Sequence, residues 1–243
     1  MRIWHVGAGS STAVTKQLLG MGLRNLMISA WSHYRESMRL TEAKADMIRK
    51  GGGHIFVDSG MISALHLDPS WADEQRLVAA LARRAGAELV SHLDVPMERH
   101  KLAAARMTRR EALALTVRNA RDFLDEDVGD ATKVYVVQGW TLPEYVSCLE
   151  AFSDAGIPDG GWLGIGTCCM RKPTRGLWQI LEEVRRRTIG TPLHSFGTGD
   201  PDKLARLKKI GIDSVDEGNT IRALIYRSGS LERLVTAYKG YDA

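Results

Sequence analysis

His54-Ile55-Phe56-Val57-Asp58-Ser59-Gly60 is the stretch that decides the fold of this chain. Ile, Phe and Val run without a polar break and stop at a carboxylate, which Ser-Gly follows. A short apolar run of this kind reads as a buried parallel strand. An Asp at its carboxyl end stands where α/β folds gather their chemistry. The design recurs. Leu89-Val90-Ser91-His92-Leu93-Asp94 ends in Asp, ahead of Val95-Pro96. Val134-Tyr135-Val136-Val137-Gln138-Gly139 ends in Gln, and Ile212-Asp213-Ser214-Val215-Asp216 ends in Asp. Four strands thus deliver three carboxylates and an amide to one rim.

Outward from these runs, strands and helices alternate through the whole chain. Strands are expected at 2–6, 25–29, 54–58, 88–93, 133–138, 162–166, 192–196 and 213–216. Helices are expected at about 12–20, 36–50, 71–85, 109–124, 143–154, 174–187 and 201–209, with a last one near 231–239. Ser70-x-x-Asp73, Thr108-x-x-Glu111 and Thr141-x-x-Glu144 have the form of capping boxes, and Asp200-Pro201 that of an N-cap followed by Pro at the first helical position. Helix 71–85 puts Trp71, Val78, Leu81 and Ala85 on one stripe, as a face packed on a sheet requires. Eight βα units in 243 residues favour a closed barrel over an open sheet. The expected fold is therefore a single (β/α)8 TIM barrel, one catalytic domain over residues 1–243 with no zinc subdomain.

Composition bounds the function. A chain that is 44% hydrophobic can bury one sizeable core. Its 33 Lys and Arg against 29 Asp and Glu give a formal charge of +4, which permits nucleic-acid binding without demonstrating it. The cysteines are Cys148 and the neighbours Cys168 and Cys169, with no Cys-x-x-Cys for a zinc knuckle and no disulfide framework. A reducing, cytoplasmic setting fits. The start, Met1-Arg2-Ile3-Trp4-His5-Val6, is too short and polar for a signal peptide, and no run approaches the ~20 apolar residues of a membrane span.

Two common site types are disfavoured. Gly7-x-Gly9-x-x-Thr12 follows the first strand but lacks the third Gly, and the second strand ends in Ser29-Ala30 with no ribose-binding acid. The seven histidines are scattered, with no His-x-His or His-x-x-x-His for a metal. Asp58 or Asp94 alone could cap a turn, and Gln138 alone could be structural. Their joint placement points to a base pocket. Guanine and 7-deazaguanine present N1–H and a 2-amino group as adjacent donors that one carboxylate can accept, and a Gln amide can donate to O6. Glycines at the strand end Trp162-Leu163-Gly164-Ile165-Gly166 allow backbone to approach a flat base closely.

The ordered set Val57-Asp58-Ser59-Gly60, Leu93-Asp94, Val137-Gln138-Gly139, Leu163-Gly164-Ile165-Gly166, His194-Ser195-Phe196-Gly197 and Gly211-Ile212-Asp213-Ser214-Val215-Asp216 resembles the tRNA-guanine transglycosylase superfamily over about residues 54–220. That family is a (β/α)8 barrel that swaps guanine for a 7-deazaguanine through a covalent glycosyl-enzyme. The resemblance implies Asp58 as general acid/base and Asp216 as nucleophile. It implies Asp94 and Gln138 as base readers, Gly164 as a backbone contact, and Ser59 and Gly139 as their neighbours in the substrate site. It implies no cofactor. The tRNA enzymes carry a Cys/His zinc site and tRNA-gripping subdomains, which are missing here, and Glu217-Gly218-Asn219-Thr220 replaces the usual sequence after the nucleophile. The chain is more similar to the phage and bacterial DNA 7-deazaguanine transglycosylases. The implied partners are DNA and a 7-deazaguanine base such as a preQ0-type precursor. The alternatives are the same exchange on tRNA and a non-catalytic nucleic-acid-binding barrel.

Basic and aromatic loop residues are expected on the same rim. Trp31, His33, Tyr34 and Arg35 follow the second strand; Arg99, His100, Lys101 and Arg106 follow the fourth; Arg171, Lys172 and Arg175 follow the sixth. Among these, Arg35, Arg99, Lys101, Arg171 and Lys172 are the candidate phosphate contacts. Asp213 and Asp216 lie three apart, so on a regular strand they point to opposite sides. Asp213 begins its strand and belongs at the barrel's bottom; Asp216 ends it and belongs at the mouth. Glu217 is the reserve nucleophile, should a bulge turn it inward.

Overall fold

The computed structural model describes residues 1–6, 12–36, 38–65, 67–158, 161–169, 171, 174–225 and 231–241. Eight parallel strands close on themselves in sequence order, β1 to β8, and β8 pairs with β1. They are β1 Arg2–Val6, β2 Asn25–Ser29, β3 His54–Asp58, β4 Leu89–Ser91, β5 Thr132–Val137, β6 Trp162–Ile165, β7 Leu193–Ser195 and β8 Ser214–Glu217. The expected TIM barrel is the observed one, and the strands differ from the expected spans by a few residues at their ends. No helix among the described residues is long and apolar enough to cross a membrane.

The unbroken apolar runs follow from double burial. Side chains alternate along a strand, and in a barrel both faces are covered. One set, Trp4, Met27, Phe56, Leu89, Val134 and Val136, fills the barrel interior. The alternate set, including Ile28, Val57, Val90, Val137 and Val215, packs under the helices. Asp58 has the parity of Phe56, and Asp216 pairs with Trp4 across the β1–β8 seam. Both carboxylates therefore enter the top of the interior rather than the helical layer.

The helices are α1 Thr12–Gly20, α2 Ala30–Glu36, α3 Met38–Lys50, α4 Met61–Ala64, α5 Gln75–Ala85, α6 Arg99–Ala104, α7 Arg109–Asp122, α8 Leu142–Asp154, α9 Arg175–Arg187, α10 Pro201–Ile210, α11 Asn219–Ile225 and α12 Leu231–Lys239. The Thr108/Glu111 capping box at α7 forms in both halves. At α8, Glu144 accepts from the Thr141 N–H at 2.8 Å. The expected box at Ser70 does not form. Asp68 accepts from Ser70 N at 3.1 Å and caps a 3-10 turn over Pro69–Asp73, so the α-helix begins only at Gln75. The stripe survives the shift: Trp71, Val78, Leu81 and Ala85 are all buried. Asp200 sits at the N-cap of α10 ahead of Pro201, but its carboxylate pairs with Lys203 and Asn219 instead of capping. Residues 7–11, with the glycines of the first βα turn, lie outside the described residues.

Candidate active site

The strand ends meet around a cavity of about 130 Å³ lined by Asp58, Ser59, Asp94, Gln138, Thr167 and Asp216, with Phe196 among its apolar walls. A larger groove of about 780 Å³ runs past Arg110, Val117, Arg121 and Ala151, but it lies on the outer helices, away from the strand ends.

Asp58 ends β3, and Gly60 N donates to its Oδ2 at 3.1 Å. Gly60 opens α4 with φ of +74°, and a Cβ there would strike Trp31 at 2.6 Å, so the turn that presents Asp58 needs glycine. Burial, then the charges of Asp94 and Asp216, push the Asp58 carboxyl up to about 7, against the pull of backbone N–H bonds. Near neutrality it therefore exists in both protonation states.

Asp94 lies past the end of β4, held between two donors. Ser59 Oγ donates to its Oδ1 at 3.0 Å, and Gln138 Nε2 donates to its Oδ2. Burial raises this carboxyl to about 6 despite those bonds. The backbone on either side is fixed from the helical layer. Leu93 N donates to Gln75 Oε1 at 2.7 Å, and Val95 N donates to Thr116 Oγ1 at 3.0 Å. Ser59 is itself anchored: its N–H donates to Ser91 Oγ at 3.1 Å, and Trp71 Nε1 donates to its carbonyl at 3.0 Å.

Asp216 is 8% exposed. Gly197 N donates to its Oδ1 at 2.6 Å, and His194 Nε2 lies 3.3 Å from the same oxygen. His194 is fully buried in the barrel, its Nδ1 2.8 Å from Ser214 Oγ and its ring 4.3 Å from that of Phe196. Oδ1 is thus held from two sides, while Oδ2 has no hydrogen-bond partner among the described residues. Asp213 precedes β8 at the opposite end, where Arg185 Nη2 pairs with it at 2.9 Å. Glu217 points to the helical layer, against His5 Nδ1 at 2.5 Å and the Thr220 N–H at 2.9 Å. No bulge turns it inward. Burial raises its carboxyl, but the bond and charge of His5 outweigh burial and leave it below the usual range.

Two glycines behave differently from expectation. Gly164 lies a layer below the mouth, where a Cβ would meet Phe196 at 2.7 Å and Val136 at 3.0 Å. The glycine lining the cavity is Gly166, two residues on, which leaves room for the Gln138 amide. Gly139 packs behind the site, where a Cβ would be 2.7 Å from Tyr145 N. Thr167 is not singled out by the sequence, and His194 enters there only within the His194-Ser195-Phe196-Gly197 segment, with no role of its own. Beyond that segment, the sequence sign of His194 is its alternation with Phe196 on an inward face. Thr167 carries no sign, since its φ of +50° is a conformation that β-branched residues rarely adopt.

The rim carries an aromatic group. Trp31 and Tyr34 of α2 stack at 6.2 Å, and both rings meet Trp71, at 5.4 and 5.2 Å. Tyr34 is 53% exposed. Arg99 is exposed and Lys101 half-buried, both on α6, a helix where a loop is expected from the sequence. Arg171, expected to meet phosphate, instead ties the loops together. Its guanidinium donates to the carbonyls of Thr167 at 2.9 Å and Trp140 at 2.6 Å, and it stacks on the Trp140 ring at 4.5 Å. Arg35 lies in α2 with its side chain outside the described residues, and Lys172 lies outside them altogether. No metal-binding cluster occurs among the described residues.

The family DpdA, DeoxyPurine in DNA protein A, matches residues 23–211. No curated protein sequence matches. Among solved structures, the chain is similar to the tryptophan synthase A-subunit of Pyrococcus furiosus, at 13% identity and a TM-score of 0.58, covering 98% of this chain and 97% of that one. It is similar to phosphoenolpyruvate phosphomutase from Streptomyces platensis subsp. rosaceus, at 15% identity and 0.57, covering 97% and 83%. KGPDC from Streptococcus mutans matches at 13% and 0.57, covering 98% and 95%. At these identities the likeness is one of fold alone.

Proposed function

The chain belongs to the DpdA family, the DNA 7-deazaguanine transglycosylases, and on that premise we propose that it exchanges guanine in DNA for a 7-deazaguanine base. The observation that carries this reading is the pairing of Asp58 with Asp216 in one cavity, beside an Asp94–Gln138 pair suited to a guanine edge. Two carboxylates in different environments divide acid and nucleophile roles between them.

Asp216 Oδ2 attacks C1′ of the target deoxynucleotide. The C1′–O bond forms as the C1′–N9 bond breaks, through an oxocarbenium-like transition state. Asp58, protonated, gives its proton to the departing guanine. The incoming 7-deazaguanine then loses its N9 proton to Asp58, its nitrogen bonds to C1′, and the Asp216 carboxylate is released. The Gly197 N–H and His194 keep Asp216 aimed through both steps. The target base has to leave the duplex stack to reach a cavity this small, or be single-stranded already. The exposed Tyr34 ring supports stacking on a neighbouring base, and Arg99 and Lys101 support phosphate contact. The protein works where its DNA is, in the cytoplasm of a bacterial or phage-infected cell.

The test is incubation with labelled guanine and, separately, duplex DNA, single-stranded DNA and tRNA. Label entering DNA, together with an adduct that survives denaturation, is the expected outcome. Label entering tRNA alone would reassign the substrate. Binding without exchange or adduct would make the chain a non-catalytic barrel.

A further inference from the structure

The Gln138 amide has two chemically opposite ends, an acceptor oxygen and a donor nitrogen. Which end meets a bound base decides whether the site takes a 6-oxo or a 6-amino edge. Two neighbours fix the choice. The Met97 N–H donates to Thr167 Oγ1 at 2.9 Å. A backbone N–H can only donate, so the hydroxyl's own proton goes elsewhere, and 2.5 Å away lies Gln138 Oε1. On the other side Gln138 Nε2 donates to Asp94 Oδ2. Turning the amide over would set its NH2 against the hydroxyl proton and its oxygen against a carboxylate.

Gln138 Nε2 keeps a second N–H, and Gln138 lines the cavity. Each Asp94 oxygen takes one protein donor and keeps a lone pair. The protein thus presents a donor beside acceptors, the complement of O6, N1–H and the 2-amino group. Thr167 is 4% exposed at φ of +50°, where glycine is the unstrained choice. Glycine would supply no hydroxyl.

We propose that Thr167 is the positioning residue that sets base specificity: it locks the Gln138 amide with its nitrogen toward the cavity, selecting a 6-oxopurine-type edge over a 6-amino edge. This rests on the base-exchange function proposed above. Rejection of the wrong edge follows because a 6-amino group would meet the remaining N–H with no acceptor between them, and its N1 lone pair would face Asp94.

Thr167→Ser and Thr167→Ala both lose the γ-methyl and differ only in the hydroxyl. Thr167→Gly removes the hydroxyl while suiting the backbone, and serves if the alanine variant does not fold. Labelled guanine and 2,6-diaminopurine, which keeps the ring and the 2-amino group but replaces O6 with an amine, are compared by equilibrium dialysis. The wild type and Thr167→Ser are expected to prefer guanine by similar ratios. In Thr167→Ala and Thr167→Gly the ratio is expected to fall about tenfold, the worth of one orienting hydrogen bond. Equal ratios in the serine and hydroxyl-free variants, with guanine still preferred, would overturn the role of Thr167 and leave the exchange function standing. A wild type that binds neither base would overturn the exchange function itself.

Discussion

The barrel's two mouths are built from the same eight strands, and both carry ionisable side chains, but the charges are handled in opposite ways. At the amino-terminal mouth Glu88 and Asp213, the acids directly before β4 and β8, have basic partners. Glu88 is bonded to Arg2 through one oxygen and to His54 Nδ1 at 2.8 Å through the other, and Asp213 pairs with Arg185 at 2.9 Å. At the carboxyl-terminal mouth Asp58, Asp94 and Asp216 are paired with no Lys or Arg among the described residues. Their partners are N–H groups, a hydroxyl, an amide and a histidine. Neutralised acids with satisfied partners belong to stability. Burial without a neighbouring cation raises the proton affinity of Asp58 and Asp94, and that is the state proton-transfer chemistry needs. The carboxyls at about 7 and about 6 are both at the second mouth.

The largest expected break is in the two aspartates of β8 and its approach. Asp216→Asn should lower exchange by about 10⁴-fold or more, as loss of a nucleophile does, and leave no covalent adduct on a denaturing gel. Asp213→Asn should leave exchange near wild type and reduce stability by less than about 1 kcal/mol, because its pair with Arg185 is part-exposed. An Asp216→Asn protein that still forms the adduct would move the nucleophile elsewhere. Asp94→Ala comes next. It should abolish guanine exchange while DNA affinity changes little, since phosphate contacts carry most of it. Parallel loss of exchange and DNA binding in a folded protein would count against base reading.

Asp58→Asn sharpens the comparison because its effect on stability should have the opposite sign to that on activity. The unfolded chain ionises this carboxyl near 4, the folded chain at about 7. Between those values the folded state binds more protons, so the contribution of this one carboxyl to stability is full below about 4 and is lost as pH rises through 7. The asparagine variant lacks that loss. Urea unfolding should find it more stable than wild type near pH 8, by up to about 4 kcal/mol, with the gap closing by about pH 4. Its exchange should fall at every pH, the step that protonates the leaving guanine most of all. A variant less stable than wild type near pH 8 would show that Asp58 is not held above its ordinary range.

Much of this contrast was legible in the sequence, and the physical reason is parity. In a barrel each strand is buried on both faces, so apolar runs mark strands such as β2, β3, β5 and β6, while β7 and β8 are short and largely polar, and alternation fixes that Asp58 and Asp216 look inward and Asp213 cannot join them. What escaped was set by contacts across loops. The start of α5 was misplaced because Asp68, before Pro69, caps the turn ahead of Ser70. The helix α6 hides in a charged stretch with no apolar period. Gly164 and Gly166 share parity, and only depth along the strand tells the packed glycine from the one at the cavity. Thr167 was invisible because its importance lies in a left-handed backbone and two hydrogen bonds to residues 29 and 70 positions away.

The smallest expected effect lies at the other mouth. Glu88 holds Arg2 and His54, but its side chain is 37% exposed and theirs are 36% and 50% exposed. Pairs this open are screened by water and salt, so Glu88→Gln should reduce stability by about 1 kcal/mol or less, and by less still as salt is raised. The amide keeps an oxygen that can accept from Arg2, which limits the loss further. Exchange should be unchanged, since the full depth of the interior layer of Trp4, Phe56 and Val134 separates Glu88 from Asp58. Paired with Asp58→Asn, the substitution removes one acid from each mouth. One protein should become slightly less stable and remain active; the other should become more stable near pH 8 and lose activity. Unfolding curves and exchange rates on the two proteins measure both halves. If Glu88→Gln slowed exchange as much as Asp58→Asn, the two mouths would be electrostatically coupled through the barrel, and the division between a paired end and an unpaired end would fail.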